Sequence, residues 1–303
     1  MNKKTPVALA FDLGGTKLSA GLISNRGKIL YQKKYVVNSK KLKSIIELAL
    51  SELVNEAADN SYKITGCGMA SAGPMDLEKG ILLNPANFPG IKRFEMVKVL
   101  KTHLKKLKVN VPVYFQNDAV AAALAEGWLG IARKTSTYIC VTLGTGLGSG
   151  TIFRGQPLQN RGAGSEWGHA MYGDQSFEQI VSGPAIIKRI NEHYGSDLTT
   201  LRDLSSELVS NRDFHRVAFL PVVNALAGFC RTLSMGIYPE VIAFSGGVML
   251  VKKYFWAELN REYKKLMKDF PSFESPLKEC SFKNDAGLIG AASLVWKPQQ
   301  KKS

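Results

Sequence analysis

The sequence predicts an α/β protein made of two related lobes, and three observations carry that expectation. At 303 residues the chain exceeds one typical domain and suits two. Strand-like and helix-like segments alternate along it. A segment near the N-terminus is also echoed at half-length: Leu143-Gly144, Gly150-x-Ile152 and Arg154-Gly155 repeat Leu13-Gly14, Gly21-x-Ile23 and Arg26-Gly27. The offset falls from 130 to 128 residues, as if the second copy had slightly shorter loops. A further strand-and-turn pair, Ile64 to Gly73 and Val241 to Gly247, ends in Ser-Ala-Gly and Ser-Gly-Gly. Self-similarity at this period indicates a duplicated hairpin-plus-α/β unit rather than a solenoid. Two such lobes would face each other across a cleft, each presenting its glycine turn. The expected bounds are 1–117 for a small N-terminal lobe, with the C-terminal helix 285–303 packing back on it, and 118–284 for a larger one.

The elements follow in order. Val7 to Ile23 is a β-rich run broken by Gly14-Gly15, and Asn25-Arg26-Gly27 is a second turn before a strand at Lys28 to Val37, so a three-stranded antiparallel meander is expected. Leu42 to Asn60 has helical periodicity through Ile45, Ile46, Leu50 and Leu53. Lys63 to Met69 reads as a strand, Phe94 to Leu107 as a helix and Val111 to Phe115 as a strand. An alanine-rich helix follows from Asp118 to Trp128. Later come a hairpin around Tyr138 to Leu158, a strand at Val241 to Phe244, a helix from Val248 to Lys268 and a final helix from Asp285, read as its N-cap, to Trp296.

Composition removes several classes. Hydrophobic residues at 45% and charged residues at 21% exclude disorder and collagen-like repeats. No apolar run approaches the length needed to span a bilayer, and the short run Val7 to Phe11 breaks too soon for a signal peptide, so a cytoplasmic protein with no membrane partner is expected. Cys67, Cys140, Cys230 and Cys280 lie far apart without zinc-ribbon spacing, which suits reduced, buried thiols. The net charge of +15 attracts polyanions in general. No nucleic-acid-binding motif accompanies it, and most lysines read as solvated helix faces.

Five segments carry chemistry. Asp12-x-Gly14-Gly15-Thr16-Lys17 puts a carboxylate at a strand end beside a glycine turn, a hydroxyl and an ammonium, a set that can cradle phosphate and hold Mg²⁺ through water. Leu143 to Gly150, LGTGLGSG, looks like a dinucleotide fingerprint but is followed by β-like residues, so a phosphate-cradling hairpin suits it better, with a ligand-free glycine connection as the alternative. Gln116-Asn117-Asp118 lies where a strand meets a helix; one residue can cap while its neighbour serves as a general base. Gly162 to His169 places Glu166 and His169 three apart, with Glu178 following, a set suited to polyol hydroxyls, with a catalytic or metal-binding histidine as the rival reading and a surface loop as the plain one. Ser245-Gly246-Gly247 closes a strand and leaves room for a flat ligand on bare backbone, or is a simple tight turn.

Taken together and in this order, DLGGTK (12–17), SAGPMD (71–76), NPANFPG (84–90), QNDAVAAALAE (116–126), LGTGLGSG (143–150), GAGSEWGH (162–169), FEQIVSGPAI (177–186) and EVIAFSGGV (240–248) resemble the ROK family of repressors, open reading frames and sugar kinases, over essentially the whole chain. The resemblance implies an actin-like, ribonuclease-H-like ATPase fold of two lobes, with ATP, Mg²⁺ and a hexose as ligands. By the same resemblance Asp118 is the general base. Asn117, Asp118, Glu166, His169 and Glu178 bind the sugar, with Gly73 and Asn87 near it. Asp12, Gly14, Gly15, Thr16, Lys17, Gly144, Thr145, Gly146, Gly148, Gly246 and Gly247 contact nucleotide and phosphate. The implied activity is that of a glucokinase, with a kinase for fructose, mannose or an N-acyl hexosamine, or a non-catalytic sugar sensor, as alternatives. ATP is the expected donor and polyphosphate its rival. Many relatives follow the histidine with a cysteine zinc motif and form dimers. Here Ala170 to Phe177 contains no cysteine, so no structural zinc is expected, and what orders the loop instead is open, with packing of Trp167 and Tyr172 as one hypothesis. The first strand starts near Thr5, leaving no room for the helix-turn-helix of the repressor members.

Overall fold

The computed structural model describes residues 4–85, 87–160 and 164–297. Ala86, the Gly162-Ala163 start of the GAGSEWGH segment and the Lys301-Lys302 tail lie outside the described residues. The chain divides into two compact units, one of Met1–Lys134, Gln156–Gly164 and Asn284–Ser303, the other of Thr135–Gly155 and Ser165–Lys283.

In the first unit, strands β1 (Pro6–Leu13), β2 (Lys17–Ser24), β3 (Ile29–Val36), β4 (Lys63–Ser71) and β5 (Val113–Asn117) form one sheet in the order β3-β2-β1-β4-β5. The meander β1-β2-β3 is antiparallel, as its turns predict, while β4 and β5 run parallel to β1. The period of two along β1 sorts its side chains. Val7, Leu9, Phe11 and Leu13 enter a core with Ile46, Leu50 and Leu53 of helix α1 (Leu42–Asp59) and with Leu100 and Leu104 of helix α2 (Met96–Lys106). The opposite face, with Ala8 and Ala10, is made of small residues, and the C-terminal helix (Ala286–Trp296) packs on β1 and β4. Helix α3 (Asp118–Leu129) belongs to this unit because it packs along that same C-terminal helix. The unit boundary therefore falls after Lys134, whereas the sequence reading draws it before Asp118.

In the second unit, β6 (Tyr138–Leu143), β7 (Leu147–Phe153), β8 (Val241–Ser245) and β9 (Leu277–Glu279) run in the order β7-β6-β8-β9. An antiparallel hairpin is again followed by a parallel strand, which is the first sheet's arrangement repeated. One residue of the drift in the repeat has a visible origin: Leu13 pairs with Leu18 in the first hairpin, but Leu143 pairs with Leu147 in the second, one loop residue fewer. The core is built from α4 (Phe177–Val181), α5 (Gly183–Tyr194), α6 (Leu220–Ile237) and α7 (Trp256–Leu266).

Three sequence expectations need amendment. The helix placed at Val248 to Lys268 is two elements, a 3-10 helix over Gly247–Tyr254 and then α7. Asp285 stands at the N-cap position of the C-terminal helix, here α8, but its side chain makes no capping bond. Finally, α6 is one helix long and apolar enough, by length and a mean hydropathy of 1.3, to cross a membrane. Its Val222, Leu226, Phe229, Cys230 and Leu233 are buried in the core of the second unit, which accounts for that composition. All four cysteines are buried thiols outside any disulfide, and burial pushes Cys67 up to about 12, far from a reactive thiolate.

Candidate functional site

Parallel strands aim their carboxyl ends at one edge of a sheet, where ligands bind in open α/β units. The first sheet's register aligns Leu13 with Ser71 and Ser71 with Asn117, so β1, β4 and β5 end together. Asp12, Asn117 and Asp118 therefore share that edge. The turn after β1 is tight: Gly14 N–H donates to the Lys17 carbonyl at 2.9 Å, leaving Thr16 and Lys17 exposed. Asn87 lies against this turn, since a β-carbon at Gly15 would sit 3.1 Å from the Asn87 β-carbon. One at Gly73 would sit 3.9 Å from Asn117 Nδ2.

Asn117 caps α3: its Oδ1 accepts the N–H groups of Ala119 (3.0 Å) and Val120 (3.1 Å). Only its amide nitrogen is left to donate elsewhere. The Asp118 Oδ1 also accepts the Ala119 N–H, at 2.8 Å, which fixes the carboxylate in the first turn, where the helix dipole favours negative charge. So Asn117 takes the capping role and Asp118 stays half-buried at the strand–helix junction.

Asp12 is the most perturbed acid here. It is pushed up to about 6, first by burial and then by the charges on Asp118 and Asp285. Its carboxyl rests against the first turn of α8: a β-carbon on Gly287 would overlap it, so a side chain there would displace the carboxyl. Asp285 and Gly287 are the contributors that sequence reasoning did not assign. The available signal is an Asp and a glycine opening a helix, which the sequence reading takes as an N-cap alone. Among the described residues no three His, Cys, Asp or Glu side chains lie close enough together to hold a metal ion by themselves.

The second unit repeats the edge. Ser245 pairs with Thr142, so β6 and β8 end side by side, and the glycine turns 144–146 and 246–247 adjoin. Gly246 has φ +100° and its α-carbon faces the Leu143 carbonyl so closely that a side chain has no room. Gly183, opening α5, donates its N–H to the Gly144 carbonyl at 2.8 Å. Glu178 sits against the same turn: its Oε2 accepts the Leu147 N–H at 2.8 Å and occupies the space above Gly146. A carboxylate assigned to sugar and a turn assigned to phosphate thus meet, with one Glu178 oxygen already engaged. Gly144, Thr145, Gly146 and Gly148 lie on this hairpin and Gly247 begins the 3-10 helix.

Glu166 and His169 are exposed, on and beside a short 3-10 turn, Trp167–His169. Between them, Trp167 donates its indole N–H to Thr151 Oγ1 at 3.1 Å and packs on the second core. Ser149 donates to the Ser165 carbonyl. Beyond His169 a two-residue hairpin, Met171–Tyr172 with Gln175–Ser176, lays Tyr172 at 5.4 Å from Phe177 and across Gly228. Phe177 in turn meets Phe229 edge-on at 4.9 Å. Aromatic packing thus orders this loop. Trp167→Ala should lower stability in urea titrations by about 2–4 kcal/mol and speed amide exchange from 166 to 176, whereas Trp167→Phe should lose about 1 kcal/mol.

Relatives align with this chain over nearly its whole length. A glucokinase of Thermotoga maritima is 28% identical, covering 95% of this chain and 96% of its own. A beta-glucoside kinase of Listeria monocytogenes is 28% identical over 93% of this chain and 95% of its own. An N-acetylmannosamine kinase of Haemophilus influenzae is 28% identical over 95% and 94%. Among solved structures, the ROK hexokinase from Thermus thermophilus superposes with a TM-score of 0.80 at 24% identity, covering 95% of this chain and 97% of its own. A ROK family glucokinase from Streptomyces griseus, solved with glucose and AMPPNP, superposes at 0.74 with 20% identity, over 95% and 98%. These likenesses confirm the actin-like fold. Because the sequence pattern of the ROK family matches residues 8–298, the chain belongs to the ROK family.

Proposed function

We propose that this protein is an ATP-dependent hexose kinase and that glucose is its preferred acceptor. The observation that supports this most is Asp118, fixed by the Ala119 N–H in the first turn of α3, at the edge where Asp12 and the first glycine turn also end. In this reading Asp118 accepts the proton of the sugar hydroxyl as its oxygen bonds to the terminal phosphorus of ATP and ADP leaves. The Asn117 amide, the exposed Glu166 and His169, the remaining Glu178 oxygen, and the Gly73 and Asn87 segments hold the sugar hydroxyls. The backbone N–H groups of the turns at Gly14–Gly15, Gly144–Gly148 and Gly246–Gly247, with Thr145, Thr16 and Lys17, take the phosphates. Mg²⁺ arrives with ATP, and Asp12 would hold it through water; the cation offsets the negative charge of the phosphates.

Kinases for glucose, a β-glucoside and N-acetylmannosamine all stand at 28% identity, so the acceptor is the finer part of the proposal. An ADP-release assay over glucose, mannose, fructose, N-acetylmannosamine and a β-glucoside should give glucose the highest kcat/KM. A tenfold advantage for another sugar would move the assignment to it, and no turnover of any would favour the sensor reading. Supplying polyphosphate in place of ATP should give the lower rate.

A further inference from the structure

We propose that the outward face of α2 is a docking surface for a linear chain of inorganic phosphates, separate from the residues assigned to sugar and nucleotide and independent of the kinase reading. Residues 39–43 and 90–108 hold ten lysines and arginines against one carboxylate, Glu95, which is taken by Arg93 at 2.8 Å. Lys98, Lys101, Lys105 and Lys108 follow at spacings of three, four and three, which places them on one side of the helix, while Met96, Leu100 and Leu104 bury the other. All four are exposed, and none is in an ion pair among the described residues.

Local helix stability does not explain this row. Lysines near a helix C-terminus offset its dipole, but Lys98 lies in the first turn, where the dipole opposes it and where the one neighbouring acid, Glu95 at the N-cap, is already paired with Arg93. Lys108 occupies the left-handed position, φ +59°, of a Schellman turn, with Lys108 N–H on the Lys105 carbonyl (3.1 Å) and Val109 N–H on the Leu104 carbonyl (2.9 Å). Glycine takes that position without penalty. At this end Lys101, Lys105 and Lys108 rim a groove of about 770 Å³ floored by Leu104, Val109 and Pro112. At the other end of α2 a second groove, of about 530 Å³, is rimmed by Lys40, Lys43, Lys92 and Arg93. The lysine row joins two basic grooves.

The surroundings select the occupant. Helix α1 runs beside α2, joined to it by Ser51 Oγ and His103 Nε2 at 2.7 Å, and sets the Glu47 carboxylate 3.8 Å from His103 Nδ1. A negative charge therefore borders the lysine row on the α1 side, which suits a chain better than the plane of a bilayer. The larger groove has no aromatic residue on which a base could stack and the smaller has Phe94 alone, whereas single-stranded nucleic acid stacks successive bases on several. Protein interfaces favour arginine and aromatic residues over lysine. Lysine is a point charge that needs no fixed geometry at its anion, which matches a flexible run of phosphates.

Calorimetry of the full chain with long-chain polyphosphate, at several salt concentrations, tests the proposal. Lys101→Gln/Lys105→Gln/Lys108→Gln should weaken binding about 10²-fold and reduce the magnitude of the log–log salt slope by about 2, at roughly 0.7 per lost phosphate contact. Inorganic phosphate alone should bind at least 10²-fold more weakly than the chain. A control of equal charge change in the second unit, Lys264→Gln/Lys268→Gln/Lys278→Gln, should change the affinity less than threefold. Equal loss in the control would mean attraction to overall charge and would overturn the docking surface. Tighter binding of a single-stranded RNA or of phosphatidylserine vesicles through the same three lysines would overturn the assignment to polyphosphate.

Discussion

Asp118→Asn should yield a folded protein whose turnover of ATP and hexose is lower by ~10²–10⁴-fold, the span general acid–base catalysis supplies. The substitution keeps the shape of the side chain and removes only its ability to take a proton. It should leave the fold alone, because α3 is capped by Asn117 through Ala119 and Val120, and the Ala119 N–H keeps Asn117 Oδ1 as an acceptor. Sugar affinity measured by calorimetry should change by less than about tenfold, since Asn still offers hydrogen bonds to a hydroxyl. The loss should appear in kcat. Near-normal turnover in a variant with unchanged thermal unfolding would remove Asp118 from the role of base. The same variant carries a second readout. The Asp118 charge is one of the causes holding Asp12 high, so its removal lets Asp12 ionise at lower pH, and any activity left should keep its acid limb to a lower pH than the wild type.

Much of this arrangement is written in local sequence, and the rest depends on tertiary packing. The meander β1-β2-β3 is legible because Gly14-Gly15 and Asn25-Arg26-Gly27 interrupt β-rich runs. The duplication is legible because the same hairpin occurs twice, and the strand orders match. Asn117 and Asp118 are legible as a capping pair because a strand runs directly into an alanine-rich helix. The division of labour between them is not, since it depends on which oxygen the backbone N–H groups of α3 reach. The tie between Glu178 and the second glycine turn is likewise hidden, because 31 residues separate Glu178 from the Leu147 N–H it accepts. The kink at Val251 interrupts a helix whose apolar pattern runs on without a break. Asp285 reads as a cap from its neighbours alone; its influence on Asp12 arises only when the last helix returns to lie along β1 and β4.

That returning helix leads to the second large effect: Asp12→Asn should make the protein more stable above pH 6 while reducing its activity. In the folded chain the Asp12 carboxyl is held at about 6, against an ordinary 3.8, by burial and by two neighbouring aspartates. Between about pH 4 and 6 the folded protein keeps a proton that the unfolded chain has released. Stability therefore falls as pH rises through that window, and above it the full penalty of a buried, repelled charge remains. A shift of that size corresponds to up to about 3 kcal/mol, which asparagine, having no charge, recovers. The melting temperature at pH 7.5 should rise by up to about 5 °C, and the gain should shrink towards nothing near pH 4. Catalysis should respond in the opposite sense. If the ionised carboxylate holds the cation that accompanies ATP, wild-type kcat/KM falls as pH drops through 6, and the variant loses most of its rate at every pH. A carboxylate kept in place despite repulsion from its neighbours is what a site for a bound cation requires, because the arriving charge reverses the sign of the local field. Equal or lower stability of Asp12→Asn at pH 7.5 would show that the carboxylate is satisfied in the resting protein and that its environment was not arranged around a cation.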